Sequence, residues 1–207
     1  MKISTCRKRL KKIPKALNKN EVVNILNHFN SAPENKFNKE RNELIFHIFI
    51  HCGLRVSELI NLKLSDVDFI NNFMVIHGKG NKERIIRLDS NTSLIIKDYV
   101  ENIRGKSIHS GNSEYLFVSQ KSGRFTVKGI NMIFENIYKD VGLSGKDYCV
   151  HTLRKTCASL MSKAGVDVVT IRDILGHANI ATTNIYLASF DEDKVKAAET
   201  LNEFINL

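Results

Sequence analysis

HTLRKTCASLMSKAGVDVVTIRDILGHANIATTNIY, residues 151–186, decides how this chain is read. From His151 onward it reads as four helical pieces, broken at Gly165, at Gly176 and after Leu187. Set into those pieces are His151, Arg154, His177 and Tyr186. Singly they are bland: a helix-start histidine, a histidine after a C-cap glycine, a packing aromatic. Upstream, Arg55 stands in CGLRVSEL, with Glu58 three residues later on the same predicted helix. Lys79 stands in HGKGNKER, between two glycines of a predicted hairpin turn.

Taken together, these are the groups needed to break a phosphodiester bond without metal or nucleotide. A phenol has a pKa of about 10, so only roughly one tyrosine in a thousand is ionised at neutral pH and attack on phosphorus needs help. Arg55 and Arg154 are the candidates to hydrogen-bond the non-bridging oxygens of a scissile phosphate and stabilise its five-coordinate transition state. Lys79 is the candidate general acid for the leaving 5′ oxygen. His151 and His177 can donate to the phosphate or accept the tyrosine proton, and the residues alone leave open which does which. Glu58 is read as a carboxylate that orients an arginine or a histidine. The product would be a 3′-phosphotyrosyl link that stores the energy of the broken strand, so no cofactor and no metal are expected.

This arrangement resembles the tyrosine recombinase (phage integrase) family, from about Asn18 to about Leu187, through the Xer-like strings CGLRVSEL, GKGNKER and LGHANI. In that family the tyrosine follows the LGH histidine by nine positions, as Tyr186 follows His177 here. Tyr99, Tyr115, Tyr138 and Tyr148 lack this context and are read as structural. The resemblance implies a catalytic-domain fold, mainly α with a small antiparallel three-stranded sheet. It implies a site-specific recombinase that cuts and rejoins DNA strands, for inversion or for integration and excision. The expected partner is double-stranded DNA with paired recombination sites, bound by a homodimer or homotetramer with accessory DNA-bending proteins.

One departure stands out. Most members of the family carry an N-terminal helical domain that closes a clamp around DNA, whereas only residues 1–17 precede the resemblance here. The expected organisation is a basic arm (1–17), the catalytic domain (18–188) and a C-terminal helix (189–207), as in short recombinases that invert small DNA segments. A fragment of a longer enzyme is the other reading. In the last segment Val195, Ala198, Leu201 and Ile205 fall on one side of a helix. In the family such a helix is commonly donated to a neighbouring subunit.

Composition points the same way. The 207 residues are 43% hydrophobic, enough for a real core, and carry a formal net charge of +9. Lys2, Arg7, Lys8, Arg9, Lys11, Lys12 and Lys15 place seven of those nine charges in the arm, while residues from 187 onward balance at −3. The arm reads as a DNA-phosphate strand or as a solubilising tail. Candidate DNA contacts are Arg7, Lys8, Arg9, Lys11 and Lys12, with Lys82, Arg84 and Arg172 in the body. Cys6, Cys52, Cys149 and Cys157 show neither disulfide nor zinc spacing and read as reduced thiols. No apolar run approaches a membrane span and the start is too basic for a secretory signal, so a cytoplasmic, nucleoid-associated protein with no membrane partner is expected.

Elsewhere Asn18 and Glu21 form a capping-box pair before a helix, a second helix runs to Gly53, and strands are expected over 67–69, 73–76 and 84–88. Helices follow at about 91–103 and 126–141, with Tyr115–Val118 as a strand or buried loop between them. Three rivals remain. Ala158–His177 reads as a helix-turn-helix, which would make Thr170 and Arg172 base readers of a non-catalytic regulator. A relaxing topoisomerase shares the chemistry. Asp66 and Asp68 with Glu58 could be imagined as a metal nuclease cluster, though they read more simply as polar junction residues. The lone G-x-G of GKGNKE lacks the third glycine and strand-to-helix context of a dinucleotide site. If the C-terminal helix is exchanged between subunits, deleting 190–207 abolishes synapsis in a gel-shift assay of paired sites and leaves the rest of the fold intact, with a retained cooperative unfolding transition; unimpaired synapsis contradicts that exchange.

Overall fold

In a computed structural model of the chain, residues 15–31, 36–78, 80 and 82–176 are described. The first helix, α1 (Lys19–Ser31), starts as its sequence dictates. Asn18 N–H donates to Glu21 Oε2 at 2.8 Å and Glu21 N–H donates to Asn18 Oδ1 at 3.0 Å. The packed body reaches back beyond the expected boundary at Asn18. Leu17 is buried and its N–H donates to Thr156 Oγ1 at 2.9 Å, while Lys15 Nζ donates to Lys146 O at 2.9 Å.

Helix α2 (Lys36–Cys52) is apolar on several faces, and it forms the centre of the molecule. Leu44, Ile45, Phe46, Ile48 and Phe49 are all buried, and α2 packs against α1, the later α4 and, most extensively, α6. Phe46 and Phe49 meet Phe134 at ring separations of 6.3 and 5.8 Å. Gly53 ends α2 in the left-handed region (φ +60°) and turns the chain into α3 (Val56–Asn61), with Arg55 at its N-cap.

A single turn at Leu64–Asp66 leads to β1 (Val67–Asp68), which pairs antiparallel with β2 (Phe73–His77); β2 pairs antiparallel with β3 (Glu83–Arg87). The sheet order is β1-β2-β3, as expected. Asn72 takes positive φ in the first turn, and Gly78 N–H donates to Lys82 O at 2.7 Å in the second. Helix α4 (Ser90–Asp98) is capped by Asp89 and continues into a wide π turn over Tyr99–Ile103, so the helical stretch covers the span expected from sequence. In the segment 115–118, Leu116, Phe117 and Val118 are buried, and it is tied by the Lys63–Tyr115 bridge and a Leu116 N–H to Leu62 O bond of 2.8 Å. Buried Arg104 holds the preceding loop by donating to the carbonyls of Ser110, Ser113, Tyr115 and Leu116.

Helices α5 (Val127–Asp140), α6 (Val150–Lys163) and α7 (Val168–Leu175) complete the described chain. Cys157 and Ala158 of α6 close over Ile171 and Leu175 of α7 in a small apolar cluster. The fold is therefore mainly α with a three-stranded antiparallel sheet. No described helix is long and apolar enough to cross a membrane. Gly53 is the tightest joint: a Cβ there would collide with Leu175 Cδ2 and lie 3.1 Å from Cys157 Sγ, at a positive φ. Gly53→Ala is expected to destabilise the chain by about 2 kcal/mol or more, read as a lower urea midpoint at unchanged slope.

Candidate active site

Glu58 sits on the first turn of α3 with only 3% of its side chain exposed. An isolated carboxylate would not stay ionised there, and this one is surrounded by cations. Its Oε2 accepts from Arg55 N–H and from Arg84 Nη2, both at 2.8 Å. Its Oε1 accepts from Arg55 Nη1 at 2.7 Å and Arg84 Nη1 at 2.9 Å. Arg154 Nη1 lies 3.9 Å from Oε2. Burial pushes the carboxyl upward, but the bonds from Arg84, the Arg55 N–H, the Arg84 charge and the Arg55 side chain outweigh it and hold the pKa at about 2.

The same three guanidiniums close the end of α7. Arg84 Nε donates to Ile174 O at 2.9 Å, Arg154 Nη2 to Leu175 O at 2.5 Å, and Arg55 Nη2 to Gly176 O at 3.1 Å. The last carbonyls of a helix are unpaired and lie at its negative end, so three successive ones are a natural seat for cations. Arg154, 1% exposed, also donates through Nη1 to Gly53 O at 2.6 Å. It thereby joins α6 to the α2–α3 joint and to α7. Three guanidiniums against one carboxylate leave a surplus of positive charge. Arg55, with 40% of its side chain exposed, is the member that opens onto solvent.

His151, on the first turn of α6, stands at the surface beside this cluster. Surrounding protein, then the charges of Lys155, Arg154 and Arg55, hold its pKa below the ordinary imidazole value. A neutral ring at neutral pH can accept a proton.

Of the residues singled out from sequence, Arg55, Glu58, His151 and Arg154 are thus brought together. Lys79, His177, Tyr186 and the arm residues Arg7, Lys8, Arg9, Lys11 and Lys12 lie outside the described residues. Lys82 is exposed in the turn just before β3. Arg84, expected to reach DNA, instead points inward: its guanidinium is taken up by Glu58 and Ile174 O, with 13% of the side chain exposed. Arg172 is paired with its neighbour Asp173 at 2.6 Å. Thr170 Oγ1 donates to Asp167, which caps α7, and Ile171 and Leu175 are core, so the second helix of the apparent helix-turn-helix is built into the domain. Asp66 Oδ2 accepts from Lys63 N–H at 2.8 Å and its Oδ1 lies 3.1 Å from His77 Nε2. Asp68 closes the β1–β2 turn on Ile70 and Asn71. The role of Arg84 had a sequence signal: in β3 it shares the inward-facing register with Ile86, where a charge demands a partner.

The sequence profile of the phage integrase family matches residues 15–193. The chain belongs to the phage integrase family. Tyrosine recombinase XerC of Caldanaerobacter subterraneus subsp. tengcongensis is 38% identical over 165 residues, which cover 79% of this chain and 45% of the relative. Tyrosine recombinase XerA of Pyrococcus horikoshii is 36% identical over 180 residues, covering 85% and 57%. The chain therefore spans about half the length of the curated relatives it matches. Among solved structures, XerA recombinase superposes with a TM-score of 0.75 at 29% identity, covering 92% of this chain and 65% of that one. XerH recombinase bound to a palindromic difH substrate, in a post-cleavage complex, superposes at 0.77 with 27% identity, covering 93% and 54%.

The buried carboxylate generates a stability prediction with a definite sign. Glu58 titrates at about 2 folded against 4.5 for an ordinary glutamate, so its contribution is fully present above pH 4.5 and is lost as pH falls toward 2. Glu58→Gln is expected to cost on the order of 3 kcal/mol at neutral pH, with the difference from the parent chain shrinking below pH 4.5 in urea unfolding series.

Proposed function

We propose that this chain is a metal-independent tyrosine site-specific recombinase, cutting and rejoining DNA strands through a 3′-phosphotyrosyl intermediate. The observation that carries the reading is the cluster in which Glu58 holds Arg55 and Arg84, with Arg154 and His151 beside it. A cationic site backed by a saturated carboxylate suits a dianionic phosphorane, because its donors are fixed before charge develops. Membership of the family and the likeness to recombinase structures support the same reading.

In the proposed reaction the Tyr186 oxygen attacks the scissile phosphorus. Arg55, the exposed member, binds a non-bridging oxygen, and Arg154 joins it by exchanging its bond to the Gly53 or Leu175 carbonyl for one to the phosphate. His151, whose lowered pKa keeps it neutral, accepts the phenolic proton; His177 donates to the phosphate. Lys79 delivers a proton to the departing 5′ oxygen. The tyrosyl-phosphate bond replaces the phosphodiester, so the reverse attack by a 5′ hydroxyl reseals DNA without a nucleotide. The proposed partners are duplex DNA with paired sites and further copies of this chain, helped by DNA-bending proteins in the cytoplasmic nucleoid. The proposed organisation keeps the basic arm for phosphate contact, with Lys82 at the hairpin, and the C-terminal helix for subunit exchange.

The test is a set of nicked duplexes tiled across the DNA flanking the gene, incubated with the chain in chelator and separated under denaturing conditions. A covalent adduct lost in Tyr186→Phe is expected. An adduct that persists in Tyr186→Phe, or none on any duplex, contradicts the reading. Adduct formation is further expected to decline on acidification only below pH 6.5, because neutral His151 is needed and its pKa is lowered.

A further inference from the structure

Arg84 was expected to meet DNA, yet its guanidinium is spent inside the protein. It bonds both oxygens of Glu58 and, through Nε, the carbonyl of Ile174. Three elements that share no hydrogen-bond ladder, α3, β3 and α7, therefore meet on one planar group. Arginine suits this place, since its fork matches a carboxylate with two donors while a third N–H remains for a carbonyl. The neighbouring glycine is fitted to it: a Cβ at Gly176 would lie 3.1 Å from Arg84 Cδ and from its Nη1, and Gly176 takes φ +64°. The clamp also sits where two parts of the proposed site leave the described chain. Gly176 immediately precedes His177 in sequence, and β3 follows the Gly78–Lys82 turn that contains Lys79.

We infer that Arg84 is a positioning residue, which fixes Arg55 through their shared carboxylate and sets the end of α7, rather than a contact to DNA. The inference rests on the proposed function for its purpose, but its geometry stands apart from it. The groups facing Glu58 are Arg55 from α3, Arg84 from β3 and Arg154 from α6, with Asp66 and His77 lining the same small cavity. Of these, Arg84 alone bonds both Glu58 and Ile174 O among the described residues.

The experiment compares Arg84→Gln, Arg84→Lys and Lys82→Gln in the full chain. Binding to an arbitrary duplex is measured across salt concentrations, and arginine Nε–Hε signals are followed by NMR. Loss of one phosphate contact lowers the salt slope by about 0.9, the change expected for the exposed Lys82→Gln. Arg84→Gln is expected to leave that slope unchanged while moving the Arg55 and Arg154 signals, with partial return in Arg84→Lys. Core methyl signals of Ile45 and Phe49-adjacent residues should stay in place, which general loosening would not allow. If Arg84→Gln fails to fold, Arg84→Lys decides through the arginine signals, with the Arg55 signal displaced, since lysine keeps the charge that the slope counts. A slope lowered by about 0.9 in Arg84→Gln, or Arg55 and Arg154 signals left in place, overturns the inference. If the parent chain binds no duplex, the proposed function fails and the arginine signals still decide the role of Arg84.

Discussion

The ionised carboxylate of Glu58, kept almost wholly out of water, is the constraint on which the rest of the site depends. A buried carboxylate is tolerated only when its lone pairs are satisfied, and here two arginines and a backbone N–H do so. Those arginines are then no longer free to adopt many rotamers. Their remaining N–H groups fall on the terminal carbonyls of α7, and Arg154 adds the third bond to that helix end. A single acid thus orders two long, flexible cations, and the carbonyls of Gly53 and Leu175 order the third. Arg55 is the member that opens onto solvent, while Arg154 keeps Nη1 and Nη2 on the carbonyls of Gly53 and Leu175.

The core makes this possible by holding the contributing elements at fixed separation. Helix α2 delivers Gly53, whose carbonyl anchors Arg154, and α6 delivers Arg154 and His151 from one face while its other face packs on α2. The close approach of Gly53 to Leu175 and Cys157 places α7 against that joint. The sheet serves both core and site: Val67, Met74, Ile76 and Ile86 are buried, and β3 brings Arg84 inward beside Ile86.

Much of this was legible in the sequence, for physical reasons that are local. The Asn18–Glu21 cap, the glycine ending α2, the short helix opened by Arg55 and the two hairpin turns are set by residues within a few positions of one another. The pairing of Arg55 with Glu58 was also readable, because three residues on a helix put them on one face. Long-range placement was not. The inward turn of Arg84 depends on a partner 26 positions away, and the carbonyls it and Arg154 meet lie 90 and 21 positions away. The change from α to π winding at Tyr99, where Tyr99 and Ile103 are buried, is likewise not marked by local helix propensity. Lys79, His177 and Tyr186 were chosen from sequence and lie outside the described residues, so their place in the site rests on the proposal.

The central claim is that cations surrounding Glu58 keep it charged in a buried place and are themselves ordered by it. The most direct measurement is the titration of the Glu58 side-chain carboxyl, followed by carbon NMR in the full chain with Glu58→Gln as the assignment control. The account predicts a carboxylate that stays ionised until about pH 2. A midpoint at the ordinary glutamate value of 4.5 or above would contradict it.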